Sequence, residues 1–246
     1  MAKTHEALLK AEKEYQMNYL EPIREEEKAL VPATPSGELI GPTPEWCKEI
    51  KARINTQYPD RQVKSIMFTG TSRESGCSRT AVGFAVSLAK AFRHRVLLID
   101  VNLRNPGVHK FFDGHDRCGL FDVFLNNRSI IDKNSQERLF VITCDGDYTE
   151  EVEGFLGSKR FEEFLKKMRK SFDYIILDGP PASSRSEVQF ISSMVDGTIL
   201  MLESGKTRRH VALKVKRDIE GAGGHFIGVV LNRRKYYIPK WIYKRL

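Results

Sequence analysis

From Ser65 onward the chain alternates short apolar runs with amphipathic stretches. SIMFTG (65–70), RVLLID (95–100), LFVIT (139–143), YIILD (174–178), GTILML (197–202) and FIGVVLN (226–232) predict buried strands. Between them lie segments with helical spacing. Ala81, Phe84, Ala85, Leu88 and Phe92 share one helical face, as do Phe161, Phe164, Leu165, Met168 and Phe172. Strands that are apolar on both faces and alternate with helices predict an α/β fold, a mostly parallel sheet with helices on both faces. No internal repeat is present.

Upstream the pattern is different. Residues 1–29 are polar, with a thin stripe of Ala7, Ala11, Tyr15 and Tyr19 that Thr4 can cap. A stripe this narrow does not hold a helix alone. Residues 31–44 carry four of the ten prolines and read as an extended linker. A second helix is expected from near Pro44 to about Tyr58. The chain thus divides into an N-terminal helix and Pro-rich linker (1–44), an α/β domain (45–234) and a tail (235–246).

At 246 residues, 41% hydrophobic and 29% charged, the composition excludes a disordered or low-complexity chain. The longest run free of Asp, Glu, Lys and Arg is Gly221 to Asn232, too short for a spanning helix. The charged N-terminus has no apolar core of a secretory signal. The four cysteines form no CxxC, and the six histidines share no metal spacing. Cys77 precedes an expected helix N-terminus, a position that lowers a thiol pKa. The net charge of +8 suggests an anionic partner, but six basic side chains and no acid fall within Arg233–Leu246. No nucleic-acid-binding pattern accompanies them, so nucleic acid is not the expected partner.

The chemistry concentrates where strands end. The first strand runs into TSRESGCSRT and then a helix expected to begin near Thr80, an arrangement that directs backbone N–H groups and a helix dipole at phosphate. The phosphate-loop pattern G-x-x-x-x-G-K-[ST] is incomplete, because Ser78-Arg79-Thr80 stands where Gly-Lys-Ser/Thr belongs. An ordinary polar β–α turn remains open on the local string alone. Two carboxylates follow apolar runs: Asp100 in LLIDVNLRNP and Asp178 in YIILDGPP. Such groups are costly unless they are solvated or hold a cation, and together with the Thr80 hydroxyl they make a candidate Mg²⁺ site.

The ordered set resembles the bacterial tyrosine kinase (BY-kinase) family, the P-loop autokinases of capsule and exopolysaccharide gene clusters. THEALLKAEKE resembles the family's opening helix. TPEWCKEIKARI resembles its oligomerisation helix, with Glu45 kept and Lys48 and Lys51 in place of arginines. LLIDVNLRNP looks like its extra acidic motif. CGLFDVF, EEVEGFLGSKRFEEFL and FDYIILDGPP follow in the family's order, and GVVLNRRKYYIPKWIYKRL resembles the last strand and tyrosine-bearing tail.

The resemblance implies ATP and Mg²⁺ as cofactors. Ser75, Gly76, Cys77, Ser78, Arg79, Thr80, Arg104 and Asn232 would bind the nucleotide, with Asn232 at the adenine. Thr80, Asp100 and Asp178 would hold the metal; Asp100, Arg79 and Asp178 would serve catalysis. Tyr236, Tyr237 and Tyr243 would accept phosphate. It also implies a homo-oligomer through helix 45–57, a membrane polysaccharide co-polymerase (chain-length regulator) as partner, and a place in the cytoplasm at the inner face of the plasma membrane. The tail can equally pack on the domain or contact anionic lipid.

Three departures bear on activity: Arg79 replaces the loop lysine, Ser78 the preceding glycine, and Asn102 the second acid of the extra motif. Losing one such contact typically costs roughly 3–4 kcal/mol of transition-state stabilisation. A weakened autokinase and a catalytically inactive interaction subunit (pseudokinase) are therefore both expected readings. A partition- or Min-type positioning ATPase fits less well, because Glu74 stands where that group expects a lysine.

Overall fold

The computed structural model describes residues 44–112, 118–120, 123, 137–144 and 154–233. All of the expected N-terminal helix and nearly all of the linker lie outside these residues, as does the 235–246 tail. Helix α1 (Glu45–Gln57) leads into β1 (Ser65–Gly70), α2 (Cys77–Lys90) and β2 (Val96–Asp100). A 3₁₀ turn (Val108–Phe111), β3 (Cys118–Gly119) and β4 (Leu139–Thr143) follow. The chain then passes through α3 (Lys159–Met168), β5 (Tyr174–Asp178), α4 (Arg185–Met194), β6 (Gly197–Glu203), α5 (Arg209–Gly221) and β7 (Phe226–Asn232).

The strands form one sheet in the order β3-β4-β2-β5-β1-β6-β7, and every described pairing is parallel. The α/β expectation holds. The sequence pattern missed β3, whose two residues are too few to carry a periodicity, and expected β7 to be buried, whereas this edge strand has a neighbour on one side only among the described residues and leaves Val229 and Leu231 exposed. Alternation along β2 shows how the sheet is covered: Leu97 and Ile99 join one core with Phe161, Leu165, Ile191 and Ile219. Val96 and Leu98 join the other with Phe68, Phe84 and Leu88. Helices α3, α4 and α5 seal the first face, and α1 and α2 the second.

Helix boundaries differ from the pattern in two places. Helix α2 starts at Cys77, not near Thr80, because Gly76 adopts a left-handed conformation (φ 80) that turns the chain immediately before it. Ser78, Arg79 and Thr80 therefore belong to the first helical turn. Helix α3 ends at Met168, and Phe172, expected on its face, reaches the same core from the following turn. The start of α3 is capped by Ser158, whose hydroxyl accepts from the Phe161 amide.

The amino ends of the strands are clamped away from the phosphate loop. Asp196 Oδ2 accepts from the Lys64 and Ser65 amides (3.0 and 2.8 Å) and from the Ser65 hydroxyl (2.9 Å). Arg169 pairs with Asp196 Oδ1 at 3.2 Å and donates to the Ser65 hydroxyl and the Met194 carbonyl. Substituting Asp196→Ala strands these donors, and a loss of roughly 2–4 kcal/mol is expected, read as a lower urea midpoint with an unchanged m-value.

Candidate functional site

Parallel pairing brings the carboxyl ends of β1, β2 and β5 to one edge, where the connecting loops enclose a cleft of about 270 Å³. Its walls include Gly76, Cys77, Ser78 and Arg79 from the β1–α2 loop and Asn102, Asn105 and Gly107 from the loop after β2. Arg73, Arg79, Lys110 and Arg233 bring positive charge to the lining, against the single acid Glu74. The N-terminus of α2 opens at the same place, so main-chain and side-chain charge both favour an anion.

Asp178 ends β5 beneath this cleft. It is fully buried, and both carboxylate oxygens lack a hydrogen-bond partner. Burial first, and the Asp100 charge second, push its pKa from 3.8 up to about 7. The Ser78 hydroxyl and the Cys77 thiol lie near enough to favour the ionised form, but neither completes a hydrogen bond. The Ser75 hydroxyl is a second buried polar group without a partner. Orphaned groups of this kind mark a place where a cation or polar ligand fits.

Asp100 stands in register with Asp178 on the neighbouring strand, also fully buried. Its carboxylate has a different occupation. It accepts from the Asn102 amide (3.1 Å), the Gly107 amide (2.9 Å) and the Val108 amide (3.0 Å). Asp100 thus shapes the loop from Val101 to Val108 as well as facing Asp178. The order of strands separates the two acids' relation to the phosphate loop: β5 borders β1 directly, whereas β2 is one strand further.

The other expected residues divide. Gly76 to Arg79 line the cleft, while Ser75 and Thr80 are buried and do not line it. The Thr80 hydroxyl donates back to the Gly76 carbonyl at 2.9 Å. Ser78 leans on the loop after β2: a Cβ added at Gly107 would lie 2.7 Å from its hydroxyl, so that glycine gives Ser78 its room. Asn102 lines the wall. Arg104 is exposed, pairs with Glu187 of α4 at 3.2 Å and does not line the cleft. The Asn232 side chain donates to the Ser75 carbonyl at 2.9 Å.

The Cys77 thiol is raised well above its ordinary value by burial and then by the Asp178 charge, which outweigh the helix N-terminus expected to lower it. Lys110, Asn105 and Arg233 are not among the site residues the sequence singles out; Asn105 and Arg233 fall inside motifs without an assigned role, and only the packing of their loops brings them to the cleft.

The residues expected to serve oligomerisation also divide. Glu45 and Lys48 pair at 3.2 Å on the exposed side of α1. Lys51 turns toward its own domain, with Nζ 4.1 Å from the Phe92 ring centre and 2.8 Å from His94 Nε2. Burial lowers its pKa; His94 is lowered by burial and by the Lys51 charge. Tyr236, Tyr237 and Tyr243 lie outside the described residues. No described helix is long and apolar enough to cross a membrane. No group of three or more His, Cys, Asp or Glu among the described residues is arranged to hold a metal unaided. A cation at Asp178 would therefore need further oxygen ligands from hydroxyl groups, a bound anion or water, as Mg²⁺ commonly does.

Comparisons with known proteins bear on the fold and the family. The family model for ATPase MipZ matches residues 64–204. Tyrosine-protein kinase YwqD of Bacillus subtilis (strain 168) is 31% identical over 194 residues, covering 78% of this chain and 81% of that protein. Tyrosine-protein kinase CpsD of Streptococcus pneumoniae is 30% identical over 192 residues, covering 76% and 83%. Among solved structures, the chimerical protein CapA2B2 aligns with a TM-score of 0.70 at 26% identity, over 81% of this chain and 88% of that one. The septum site-determining protein MinD complexed with Mg-ADP from Pyrococcus horikoshii OT3 shares the fold, with a TM-score of 0.54 at 17% identity over 74% and 76%. A parallel sheet ending in a phosphate-type loop, matched over three quarters of its length by tyrosine-protein kinases, places this chain in the bacterial tyrosine-kinase family, on a P-loop ATPase fold.

Proposed function

We propose that this chain is a cytoplasmic tyrosine-autokinase-like protein that regulates polymerisation or export of an exopolysaccharide or capsule, acting with a membrane polysaccharide co-polymerase at the inner face of the plasma membrane. The observation that carries this reading is the buried Asp178 carboxylate, free of hydrogen bonds beneath a cleft lined by cations. An acid in that position is stabilised by a cation that arrives with an anion, and a magnesium nucleotide is such a ligand.

ATP with Mg²⁺ supplies a transferable phosphoryl group and neutralises the charge that develops on it. The residues in place fit that ligand in part. Gly76 and the first turn of α2 from Cys77 to Arg79 offer amides to phosphate, Arg79 and Lys110 offer charge, and Asp178 offers a carboxylate. The Thr80 hydroxyl donates its hydrogen to the Gly76 carbonyl, which leaves its oxygen lone pairs to face a metal. Phosphate acceptance falls to Tyr236, Tyr237 and Tyr243 of a neighbouring subunit in an oligomer built on α1. The exposed Glu45 and Lys48 suit that contact, while Lys51 is committed within its own domain. The basic tail is also suited to anionic lipid.

Ser78, Arg79 and Asn102 attenuate the transfer. Arginine keeps the charge of the usual lysine on a larger planar head, and asparagine brings no charge. The close approach of Ser78 to Gly107 favours a second reading. In it the fold is retained as a catalytically inactive interaction subunit of the co-polymerase.

One comparison separates the two readings. ATP binding by calorimetry and anti-phosphotyrosine signal are measured for the wild type, for Ser78→Gly with Arg79→Lys, and for Asp178→Ala. A weak wild-type signal, raised about 10–100-fold by the double substitution and abolished in Asp178→Ala, is expected. Silence of the wild type and the double variant in both assays replaces the kinase with the interaction subunit.

Asp178 also sets a pH dependence. Its folded pKa of about 7 exceeds the 3.8 of an unperturbed carboxyl, so the folded state holds an extra proton between those values. Its contribution to stability is full below the lower value and is lost as pH rises through the upper one. Asp178→Asn removes that loss, so calorimetry should find the ligand-free variant about 2–4 kcal/mol more stable than the wild type at pH 8. At pH 4 the two should be alike.

A further inference from the structure

The end of β7 grips the phosphate loop. The Asn232 side-chain amide donates to the Ser75 carbonyl at 2.9 Å, and its carbonyl oxygen accepts from the Arg233 amide at 2.8 Å. Gly76 sits directly against the same amide, and a Cβ there would collide with Asn232 Nδ2. The strand end thus touches the one residue whose left-handed turn starts α2. Arg233 adds a second hold. Its guanidinium lies 3.0 Å from Glu203 of β6 and 4.0 Å from Glu74 of the loop. Lys206 reaches the same two carboxylates, at 2.9 and 3.9 Å. Arg233 also lines the cleft and is the first residue of the basic C-terminal stretch.

We infer that Asn232 and Arg233 are positioning residues for the phosphate loop and for the anion it receives. Asn232 fixes the Ser75 carbonyl and the turn at Gly76, so the amides of the first turn of α2 are presented in one arrangement. Arg233 holds the loop acid Glu74 against the β6 end. The Glu74 contact is exposed and long, so Asn232 carries most of the hold. Loss of the Asn232 contact loosens the loop, and by linkage an anion that orders the loop favours that contact. This assignment rests on the reading of the cleft as a phosphate site. It differs from the sequence expectation, in which Asn232 contacts adenine, since its amide is engaged by the main chain of the loop.

The test uses the full chain as wild type, Asn232→Ala and Arg233→Ala. Amide hydrogen exchange of the ligand-free protein is followed over residues 75–80 and, as a control, over β1. Calorimetry measures affinity for tripolyphosphate, which has no base, and for ATP. In Asn232→Ala, loop exchange should rise about fivefold with β1 unchanged, the effect of one lost hydrogen bond. Tripolyphosphate and ATP should weaken together by about the same factor, with a smaller, salt-sensitive change in Arg233→Ala. Loss of ATP affinity with tripolyphosphate unchanged returns Asn232 to the base and overturns the inference. Unchanged loop exchange, or an equal rise in β1, overturns it as well. If the wild type binds neither ligand, the phosphate reading fails by itself, and the exchange data alone decide whether Asn232 holds the loop.

Discussion

Everything at the functional edge of this protein answers to a buried negative charge. Strand β5 lies between β1 and β2, with helices on both faces of the sheet, so the carboxyl group at its end is buried. Asp100 beside it has the same burial, but three main-chain amides surround it. Asp178 has none. In an apolar setting an unpaired carboxylate is far more costly than a protonated one, which is why it retains its proton to near neutrality. A ligand that brings a cation relieves that cost, and the cleft above is shaped to admit one with its anion.

The same constraint explains how neighbouring residues behave. Cys77 sits where a helix N-terminus would favour a thiolate, yet a second negative charge beside Asp178 is opposed by both burial and repulsion. Ser78 occupies the side of the cleft where a smaller residue would leave open space, and the missing side chain of Gly107 accommodates it. The departures from the usual phosphate loop are therefore built into a packed wall. They change how a phosphate is received without disturbing the sheet that receives it.

Charged residues further out are drawn into local pairs. Lys51 rests on Phe92 and against His94, Arg104 meets Glu187, and Arg233 meets Glu203. Lys51 and Arg104 were expected, from their places in motifs, to face a partner or a ligand, and Arg233 opens the basic tail. A long cationic side chain finds a nearby carboxylate or ring without ordering a distant one, so short-range pairing prevails where the backbone brings such groups together.

The apolar runs of the sequence determined the strands and the two-faced covering of the inner ones, because a parallel strand buried on both faces must be apolar throughout; the edge strand β7 is equally apolar yet half-exposed. They also marked Asp100 and Asp178 as acids at strand ends. Only the tertiary structure decided that Asp100 is held by its own loop while Asp178 is left unpaired, since that depends on how residues 101 to 108 fold back. It alone placed Lys110, Asn105 and Arg233 at the cleft and turned Asn232 onto Ser75. Periodicity reports which face of an element is buried; it carries nothing about which loops meet, because that is set by strand order across the sheet.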